Sequence, residues 1–312
     1  MNKDSKITVL GANGLVGSAL VRNLTAQGYT NISTPTSKRV NLMSQTQTAV
    51  YFQVEKPEYV FLAAAKVGGI HANNTFPAEF IFNNLTIQTN VIQSCYESGV
   101  KKLMFLGSVC IYPKYAEVPV KEESLLTGEL EPTNRAYAVA KIAGIQMCQA
   151  YRKQYGCDFI SVMPCNLYGE GDNFHPTNSH VIPALIRKFV EAKDRCMKEV
   201  TCWGTGVARR EFLYVDDMAD ACVFLMQCYS DERIINIGFG DDYTIREIVE
   251  KIAKIVGYEK DIIWDKSKPD GTPKRILDTT RLFNLGWRPK VDLHGGLTKS
   301  VNWYRLHKNE IK

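Results

Sequence analysis

Three glycines join an apolar segment to an amphipathic one near the start of the chain. The stretch KITVLGANGLVGSALVRNLTAQG carries Gly11, Gly14 and Gly17 in the spacing G-x-x-G-x-x-G. Glycine permits positive φ in a turn and lets backbone N–H groups approach a phosphate at the positive end of a helix. The pattern therefore predicts a strand, a phosphate-binding turn and a helix. The alternative is a turn that needs glycine only for its backbone conformation.

Apolar segments of strand length alternate with helical segments through the first half of the chain. Further strands are predicted at 31–34, 59–65, 102–108 and 158–169, with helices at 44–55, 78–98 and 136–156. This order favours an α/β fold, a Rossmann-type doubly wound parallel sheet with helices on both faces.

Glycine, proline and asparagine become more frequent after residue 170, and SKPDGTPKRILD (267–278) has the composition of a polar loop. We expect a dinucleotide-binding Rossmann domain at 1–170 and a smaller C-terminal α/β substrate-binding domain at 171–312, with segments that can cross between the two.

Composition narrows the classes of partner. A net charge of +5 over 312 residues is mild, which argues against nucleic acid and favours small phosphorylated ligands. No apolar run reaches the ~20 residues that cross a bilayer, and the start lacks the order of a secretory signal, so we expect a cytoplasmic protein without membrane contact. The nine cysteines form no C-x-x-C pair, so neither a zinc site nor a disulfide framework is predicted.

The segment after the second strand bears on the choice of cofactor. An acidic residue there would bind the ribose of NAD, whereas STPTSKRVNL offers Ser37, Lys38 and Arg39 and no carboxylate. This favours NADP. The alternative is that Lys38 and Arg39 are solvated loop charges.

A serine, a tyrosine and a lysine have the spacing of a carbonyl-reducing site. YAVAK places Tyr137 and Lys141 four residues apart on one face of a helix, and Ser108 ends a predicted strand. A lysine ammonium beside the phenol should lower the pKa of Tyr137, and Ser108 can hold a carbonyl oxygen beside it.

Cys110 follows Ser108 by two residues, which on a continuing strand would put both side chains on the same side. If they face a 4-keto sugar, the hydrogens at C3 and C5 are acidic because the carbanion spreads into an enolate, and a thiolate could remove them. The second proton donor would be a histidine, with His180 favoured and His175 competing. The alternatives are a core cysteine and a histidine that caps a helix.

Several long blocks, including AAAKVGGIHANN, GSVCIYPK, EPTNRAYAVAKIAG, NFHPTNSHVIPALIRKF and WGTGVARREFLYVDDMA, resemble the GDP-L-fucose synthase family of extended short-chain dehydrogenases/reductases. The resemblance runs from the glycine loop to GWRPKVDLHGGL. It implies NADPH-dependent 3,5-epimerisation and 4-reduction of a GDP-4-keto-6-deoxymannose. It also implies a homodimer, which we expect to form through helices 78–98 and 137–155.

The resemblance carries over specific residues. The catalytic set is Ser108, Cys110, Tyr137, Lys141 and His180. Cofactor contacts are implied for Gly11, Asn13, Gly14, Leu15, Val16, Gly17, Leu106, Gly107, Val109, Lys141, Pro164, Cys165, Asn166, Leu167 and His180. Ser37, Lys38 and Arg39 are added from the segment after the second strand and not from the resemblance, because this chain lacks the arginine that often holds the 2′-phosphate there. Contacts with the nucleotide sugar are implied for Asn166, Lys188, Trp203, Arg210 and Asp270, and no metal is implied.

Some positions differ from the family pattern. Asn13 and Lys188 stand where arginines are found in relatives, and Arg135 replaces part of an acidic-proline step before Tyr137. An alternative function is therefore C4 reduction, with partial or no epimerisation, of a related GDP-4-keto heptose or 3,6-dideoxyhexose. A nucleotide-sugar dehydratase fits less well, because Val109 and Cys110 stand where those enzymes carry an Asp-Glu pair. A non-catalytic NADP-binding sensor is the alternative from another class.

Overall fold

The computed structural model describes residues 1–176, 179–268, 270 and 273–311. In chain order the strands are β1 (Ile7–Leu10), β2 (Ile32–Ser33), β3 (Tyr59–Leu62), β4 (Lys102–Leu106), β5 (Phe159–Pro164), β6 (Asn166–Tyr168), β7 (Glu199–Trp203), β8 (Arg209–Arg210), β9 (Phe212–Tyr214), β10 (Ile235–Ile237), β11 (Tyr243–Thr244), β12 (Asp261–Asp265) and β13 (Lys274–Arg275).

The α-helices of the described residues are α1 (Leu15–Ala26), α2 (Gln45–Glu55), α3 (Ile70–Thr75), α4 (Pro77–Glu97), α5 (Arg135–Tyr155), α6 (Val181–Asp194), α7 (Val215–Cys228), α8 (Ile245–Val256), α9 (Thr280–Asn284) and α10 (Leu293–His307). Short 3₁₀ turns lie at Val109–Ile111, Glu122–Ser124 and Pro132–Asn134. Among these described helices, none combines the length and apolar character that a bilayer span requires.

The main sheet has six parallel strands in the order β10-β5-β4-β3-β1-β2. Its central strands are apolar and buried over nearly their whole length, as expected of a sheet covered on both faces. The chain runs from β1 to one edge and then returns to β3 on the other side of β1. This reversal opens a crevice at the carboxyl ends of β1 and β3, where doubly wound sheets bind their ligands. The predicted Rossmann-type fold is confirmed.

Helices cover the sheet in two sets. α1 packs against α7, while α4 packs against both α2 and α5. The sheet and these helices share one continuous core, which includes Val9, Leu20, Phe61, Phe105 and Ile145. The helices at 44–55 and 78–98 were predicted with bounds within one residue, whereas the six-residue α3 was not predicted.

A second core lies mainly in the later part of the chain. It is formed by the apolar faces of α6, α8 and α10 together with β6, β7 and β9. Yet β10 and α7, which also follow residue 170, belong to the main sheet and its helical layer. The division at residue 170 stays a prediction, and the structure adds that segments beyond 170 return to the first part.

The predicted fifth strand at 158–169 is wrong in one respect, because it is two strands. β5 ends at Pro164, which has no N–H to continue the hydrogen bonds with β4, whereas on the β10 side the Cys165 N–H still donates to Ile237 O at 2.9 Å. β6 leaves the main sheet and pairs in parallel with β9. β6 thus lies between the two cores, because Leu167 packs against the first and Tyr168 is part of the second.

The segment 267–278, predicted as a polar loop, contains the short strand β13, which pairs in parallel with β8. Pro269, Gly271 and Thr272 of that segment lie outside the described residues, as do Thr177 and Asn178 of the block before α6 and the final residue, Lys312.

Candidate active site

The glycine loop between β1 and α1 is closely packed. Gly11 has φ +89°, and a Cβ there would lie 2.7 Å from the backbone nitrogen of Ala64, at the end of β3. A Cβ on Gly17 would overlap the carbonyl oxygen of Gly11. These two glycines are therefore required by the close approach of β1, α1 and the segment after β3.

Gly14 leaves the start of α1 open. It is the N-cap residue, no side chain caps the helix, and the first turn contains no acidic residue. The first N–H groups of α1 are consequently available to an anion, and the positive end of the helix dipole favours one. Asn13, Leu15 and Val16 flank this position. The loop fits the diphosphate of a nicotinamide dinucleotide.

The basic segment after β2 is exposed. Ser37, Lys38 and Arg39 all face solvent, and the Arg39 guanidinium lies 3.0 Å from a carboxylate oxygen of Glu55 and 5.7 Å from the Tyr51 ring centroid. Glu55 thus offsets the charge of Arg39. Lys38 remains an exposed cation at the edge of the sheet next to the glycine loop.

The carboxyl ends of β4 and β5 lie side by side, with Leu106 opposite Val162. Gly107 follows β4, and a Cβ there would overlap the side chain of Met163. The implied cofactor residues after these strands, Leu106 to Val109 and Pro164 to Leu167, therefore occupy one edge of the sheet together with the glycine loop. Asn166 donates from Nδ2 to the carbonyl oxygen of Glu211 at 2.9 Å.

Lys141 enters this edge from α5. Its side chain is buried, and Nζ donates a 2.8 Å hydrogen bond to the carbonyl oxygen of Leu106. Nζ lies 5.9 Å from the centroid of the Tyr137 ring and 4.8 Å from that of Phe105. Burial lowers the pKa of Lys141 to about 8. The ammonium form therefore still predominates at neutral pH, but with little margin.

Tyr137 lies one helical turn before Lys141 and packs edge-on against Phe80, at 6.2 Å between ring centroids. Burial raises the pKa of Tyr137 well above its usual value, and the nearby Cys110 raises it further, while a hydrogen bond with Ser108 partly offsets the rise. The expected lowering by Lys141 is wrong here, because burial dominates. The phenol is protonated at neutral pH, which suits a proton donor.

Ser108 and Cys110 are close together, but not for the predicted reason. β4 ends at Leu106, and Val109–Ile111 forms a 3₁₀ turn instead of extending the strand. Within that turn the Cys110 N–H donates to Ser108 Oγ at 3.3 Å. Burial raises the pKa of the Cys110 thiol, while a hydrogen bond with Ser108 and the charge of Arg275 act in the opposite direction.

His180 begins α6 as its N-cap residue, and its side chain makes no capping hydrogen bond. The alternative of a helix-capping histidine is therefore not what the structure contains. The residue is exposed, yet the surrounding protein desolvates the ring and lowers its pKa, so the imidazole is neutral at pH 7. The competing His175 lies in the segment before α6, and its backbone N–H donates to Asn173 Oδ1.

Among the five implied catalytic residues, Ser108, Cys110, Tyr137 and Lys141 form one cluster at the ends of β4 and α5. Across the described part of the chain, the structure records no hydrogen bond or ion pair between His180 and this cluster. The assignment of His180 to the site stays a prediction.

The implied nucleotide-sugar residues gather around β7, β8 and the segment before β13. Both carboxylate oxygens of Asp270 accept hydrogen bonds from Thr205, from its N–H and its hydroxyl, at 2.7 Å each. Trp203 is 66% exposed, and Lys188 Nζ donates to Thr201 O on the same strand at 2.7 Å. Burial lowers the pKa of Arg210, and neighbouring Arg275 lowers it further, while Asp270 opposes this.

Two polar residues at this edge were missed by the sequence analysis. Asn134 donates from Nδ2 to Cys110 Sγ at 3.3 Å. Arg275 is close enough to act electrostatically on both Cys110 and Arg210, and its Nη1 has no hydrogen-bond partner among the described residues. The only sequence signal was their position, beside Tyr137 and just after Asp270.

Comparisons with known proteins agree with this geometry. The family model "NAD dependent epimerase/dehydratase family" matches residues 7–238. GDP-L-fucose synthase 1 of Arabidopsis thaliana is 58% identical over 303 residues, covering 97% of this chain and 94% of the relative. GDP-L-fucose synthase of Escherichia coli is 48% identical over 316 residues, covering 98% of each.

Among solved structures, a GDP-mannoheptose C4 reductase from Campylobacter jejuni with NADP bound superposes with a TM-score of 0.89 at 39% identity. The match covers 98% of this chain and 99% of that one. On the strength of these matches and of the fold, the chain belongs to the NAD dependent epimerase/dehydratase family and, within it, to the GDP-L-fucose synthases.

Proposed function

We propose that this chain catalyses the NADPH-dependent 3,5-epimerisation and 4-reduction of a GDP-4-keto-6-deoxymannose, giving GDP-L-fucose. The observation that carries the proposal is the grouping of a thiol, Cys110, with the hydroxyls of Ser108 and Tyr137, at the same edge of the sheet as the glycine loop. A thiol beside these hydroxyls can act as the base that removes a proton from carbon, which reduction by itself does not require.

The hydroxyl groups account for the reduction. Ser108 and Tyr137 would hold the C4 carbonyl oxygen by hydrogen bonds, and the protonated phenol of Tyr137 would neutralise the alkoxide as it forms. Lys141, fixed on Leu106 O, supplies positive charge beneath the phenol. The dinucleotide, when bound, supplies the hydride that reaches C4.

The thiol accounts for the epimerisations. While C4 is a ketone, the C3 and C5 hydrogens are acidic, because an enolate accepts the electron pair of the broken C–H bond. Cys110 would remove a proton on one face of the ring, and His180 would deliver a proton on the other. Reduction removes the ketone, so epimerisation must come first.

NADP is the proposed form of the cofactor. Lys38 and Ser37 lie exposed at the end of the β2 edge and offer a cation and a hydroxyl for a 2′-phosphate, while the β2 end supplies no carboxylate for a free ribose. Asn13, Leu15 and Val16 would lie along the diphosphate. The solved Campylobacter jejuni relative holds NADP. Parallel titrations with NADPH and NADH test this choice, and equal affinities would contradict it.

The nucleotide of the substrate would bind in the second part of the chain. The exposed Trp203 indole can pack against a base, Lys188 and Arg210 carry charge for the diphosphate, and Asp270 and Asn166 can bind hydroxyl or amino groups. Residues 1–170 would then bind the dinucleotide and most of 171–312 the sugar nucleotide. If the two nucleotides bind in separate parts of the chain, Arg210→Ala should lose GDP binding and retain NADPH binding. Loss of both would contradict this assignment.

A homodimer through α4 and α5 is part of the proposal. Tyr96 and Tyr155 stack at 4.3 Å on the outer side of these helices, where they are 37% and 47% exposed, and Phe82 is exposed on α4 as well. An exposed aromatic surface of this kind suits an isologous contact between two copies. Sedimentation equilibrium tests it, and a monomer at micromolar concentration would contradict it.

We also place the protein in the cytoplasm. All nine cysteines are free in the structure, which suits a reducing compartment. Fractionation of cells that express the tagged chain tests this, and recovery from an oxidising compartment would contradict it.

C4 reduction of a GDP-4-keto heptose remains the second candidate, favoured by the 39% identity with the GDP-mannoheptose C4 reductase. The experiment is NADPH oxidation with a panel of GDP-4-keto sugars, followed by identification of the product. GDP-L-fucose from the 6-deoxymannose substrate is the expected result. A preference for the heptose, with one or no centre inverted, would favour the second candidate, and no oxidation with any substrate would favour a sensor.

A further inference from the structure

The side chain of Asn134 forms a hydrogen bond with Cys110 and does not cap its own helix. Asn134 ends the 3₁₀ turn Pro132–Asn134 and is the N-cap residue of α5. An asparagine at this position ordinarily accepts a hydrogen bond from an N–H of the first turn, which stabilises the helix. Asn134 makes no such bond. Its Nδ2 instead donates to Cys110 Sγ, 24 residues earlier in the chain, at 3.3 Å.

The other half of the amide makes no contact that would explain its placement. Asn134 Oδ1 is buried and has no hydrogen-bond partner among the residues that the structure describes. A buried acceptor without a partner costs free energy. In this orientation the side chain makes no capping hydrogen bond, and its oxygen has no hydrogen-bond partner among the described residues. Both features cost stability, so stability of the fold does not explain why the amide faces the sulfur.

We propose that Asn134 is a positioning residue for Cys110. The side-chain N–H of Asn134 stabilises the Cys110 thiolate and fixes the direction of Sγ. This role in turnover rests on the proposed epimerase chemistry, although the contact with sulfur does not. In the step concerned, the thiolate forms an S–H bond as the sugar C–H bond breaks, and the electron pair enters the enolate. The hydrogen bond from Nδ2 would be strongest before that transfer, when sulfur carries the charge.

Charged and titratable groups reach Cys110 from two other elements. Arg275 on β13 favours the thiolate, and Tyr137 on α5 lies close enough that Cys110 raises the pKa of its phenol. Glu131, which is paired with Lys114 at 3.1 Å, acts on Arg275 from the segment before α5. Burial opposes the thiolate. The Ser108 hydroxyl opposes the effect of burial at the sulfur, and the amide of Asn134 is a second neutral donor there.

Two substitutions separate the thiolate role from a structural one. Asn134→Asp keeps the shape and is an equally good N-cap, but it replaces the donor with a carboxylate that repels a thiolate. Asn134→Ser is also a good N-cap, but its side chain is too short to reach Sγ. Thermal unfolding of Asn134→Ser should be close to that of the parent, because no existing cap is removed. Thermal unfolding of Asn134→Asp is measured alongside and should be lower, since a carboxylate at a buried position without a partner costs stability.

The experiment measures alkylation of Cys110 by iodoacetamide against pH, with each cysteine quantified by mass spectrometry. The exposed Cys196 serves as the internal control in the same samples. At pH 7.5 we expect Cys110 to react about tenfold more slowly in Asn134→Ser and more slowly still in Asn134→Asp, with Cys196 unchanged. The pH profile of Cys110 should move to higher pH in the same order.

Rates within twofold of the parent in both variants would overturn the inference. Faster alkylation in Asn134→Asp would overturn it as well, because greater access and not thiolate stability would then govern the reaction. The measurement needs no substrate, so it is independent of the proposed function. A parent chain that fails to exchange substrate protons would contradict the epimerase proposal while leaving the alkylation result unaffected.

Discussion

Lys141 Nζ donates a 2.8 Å hydrogen bond to the carbonyl oxygen of Leu106, and this contact ties α5 to the last residue of β4. It fixes a buried cation at 5.9 Å from the Tyr137 ring, beside the turn that carries Ser108 and Cys110. The contact explains why one short helix segment and one strand end can form a reducing site. Burial of this cation limits the pH range of the site, because it lowers the pKa of Lys141 to about 8.

Lys141→Met should abolish most of the reduction without unfolding the protein. Methionine fills a similar volume and removes a buried charge, so we expect the unfolding temperature to be retained or raised. The rate of NADPH oxidation should fall by about 100-fold or more, because the cation beside the phenol is lost. Lys153→Met, at the exposed end of α5, is the matched control and should leave the rate unchanged. A Lys141→Met rate within threefold of the parent would contradict this role.

The two chemistries should respond to pH in opposite directions. Proton exchange at carbon needs the Cys110 thiolate, and burial raises the pKa of that thiol, so exchange should increase with pH across the neutral range. Reduction needs protonated Tyr137 and charged Lys141, so it should decline as pH rises through about 8. Separate pH profiles, for deuterium exchange without reductant and for reduction, test this. Parallel profiles would show that one group controls both steps.

Gly14 and Gly17 should fail in different ways when changed to alanine. A Cβ at Gly17 overlaps Gly11 O, whereas one at Gly14 comes no closer than 3.4 Å to that atom and meets no strained φ. Gly17→Ala should therefore destabilise the fold, by about 2 kcal/mol or more. Gly14→Ala should unfold at nearly the parent temperature but bind NADPH at least about tenfold more weakly, because the methyl group faces the phosphate. Calorimetry and a fluorescence titration distinguish the two, and unimpaired NADPH binding by Gly14→Ala would place the diphosphate elsewhere.

Titration of Glu211 should lower the free energy of unfolding as the pH rises from 5 to 8. Glu211 is 1% exposed and accepts N–H hydrogen bonds from Gly240 at 2.8 Å and Leu277 at 2.9 Å, yet burial raises its pKa to about 7. The folded state binds a proton that the unfolded state has lost, so the associated stability is present at low pH and is lost as pH rises through about 7. It amounts to at most about 3 kcal/mol.

Urea unfolding at pH 5 and pH 8 measures this. The decrease in the free energy of unfolding between the two pH values should be smaller in Glu211→Gln than in the parent. In Glu250→Gln, an exposed control on α8, the decrease should equal that of the parent. Equal falls in all three proteins would mean that Glu211 does not titrate in this range.

The sequence predicted the fold from local patterns, because strand length, helical period and glycine spacing are properties of neighbouring residues. The same patterns located Ser108, Tyr137 and Lys141. They failed where tertiary contacts decide the conformation. Pro164 ends a ladder that the apolar pattern continues, and the 3₁₀ turn at Val109–Ile111 replaces a strand extension.

Electrostatics and side-chain orientation were also beyond local reasoning. The pKa of Tyr137 is raised by burial, which depends on helices distant in the chain, and not lowered by the lysine one turn away. Asn134 has the sequence position of a helix cap, and only the fold shows its amide directed at Cys110. A role for Arg275 likewise required β13 to be placed beside β8.

Deuterium incorporation from solvent tests the central claim most directly. The protein is incubated in D₂O with GDP-4-keto-6-deoxymannose and oxidised cofactor but no reductant, and the recovered sugar is examined by mass spectrometry and NMR. We predict deuterium at C3 and C5 with the parent chain and none above background with Cys110→Ala, although that variant should still bind NADPH normally. Absence of deuterium at both carbons with the parent, or unchanged incorporation with Cys110→Ala, would contradict the account.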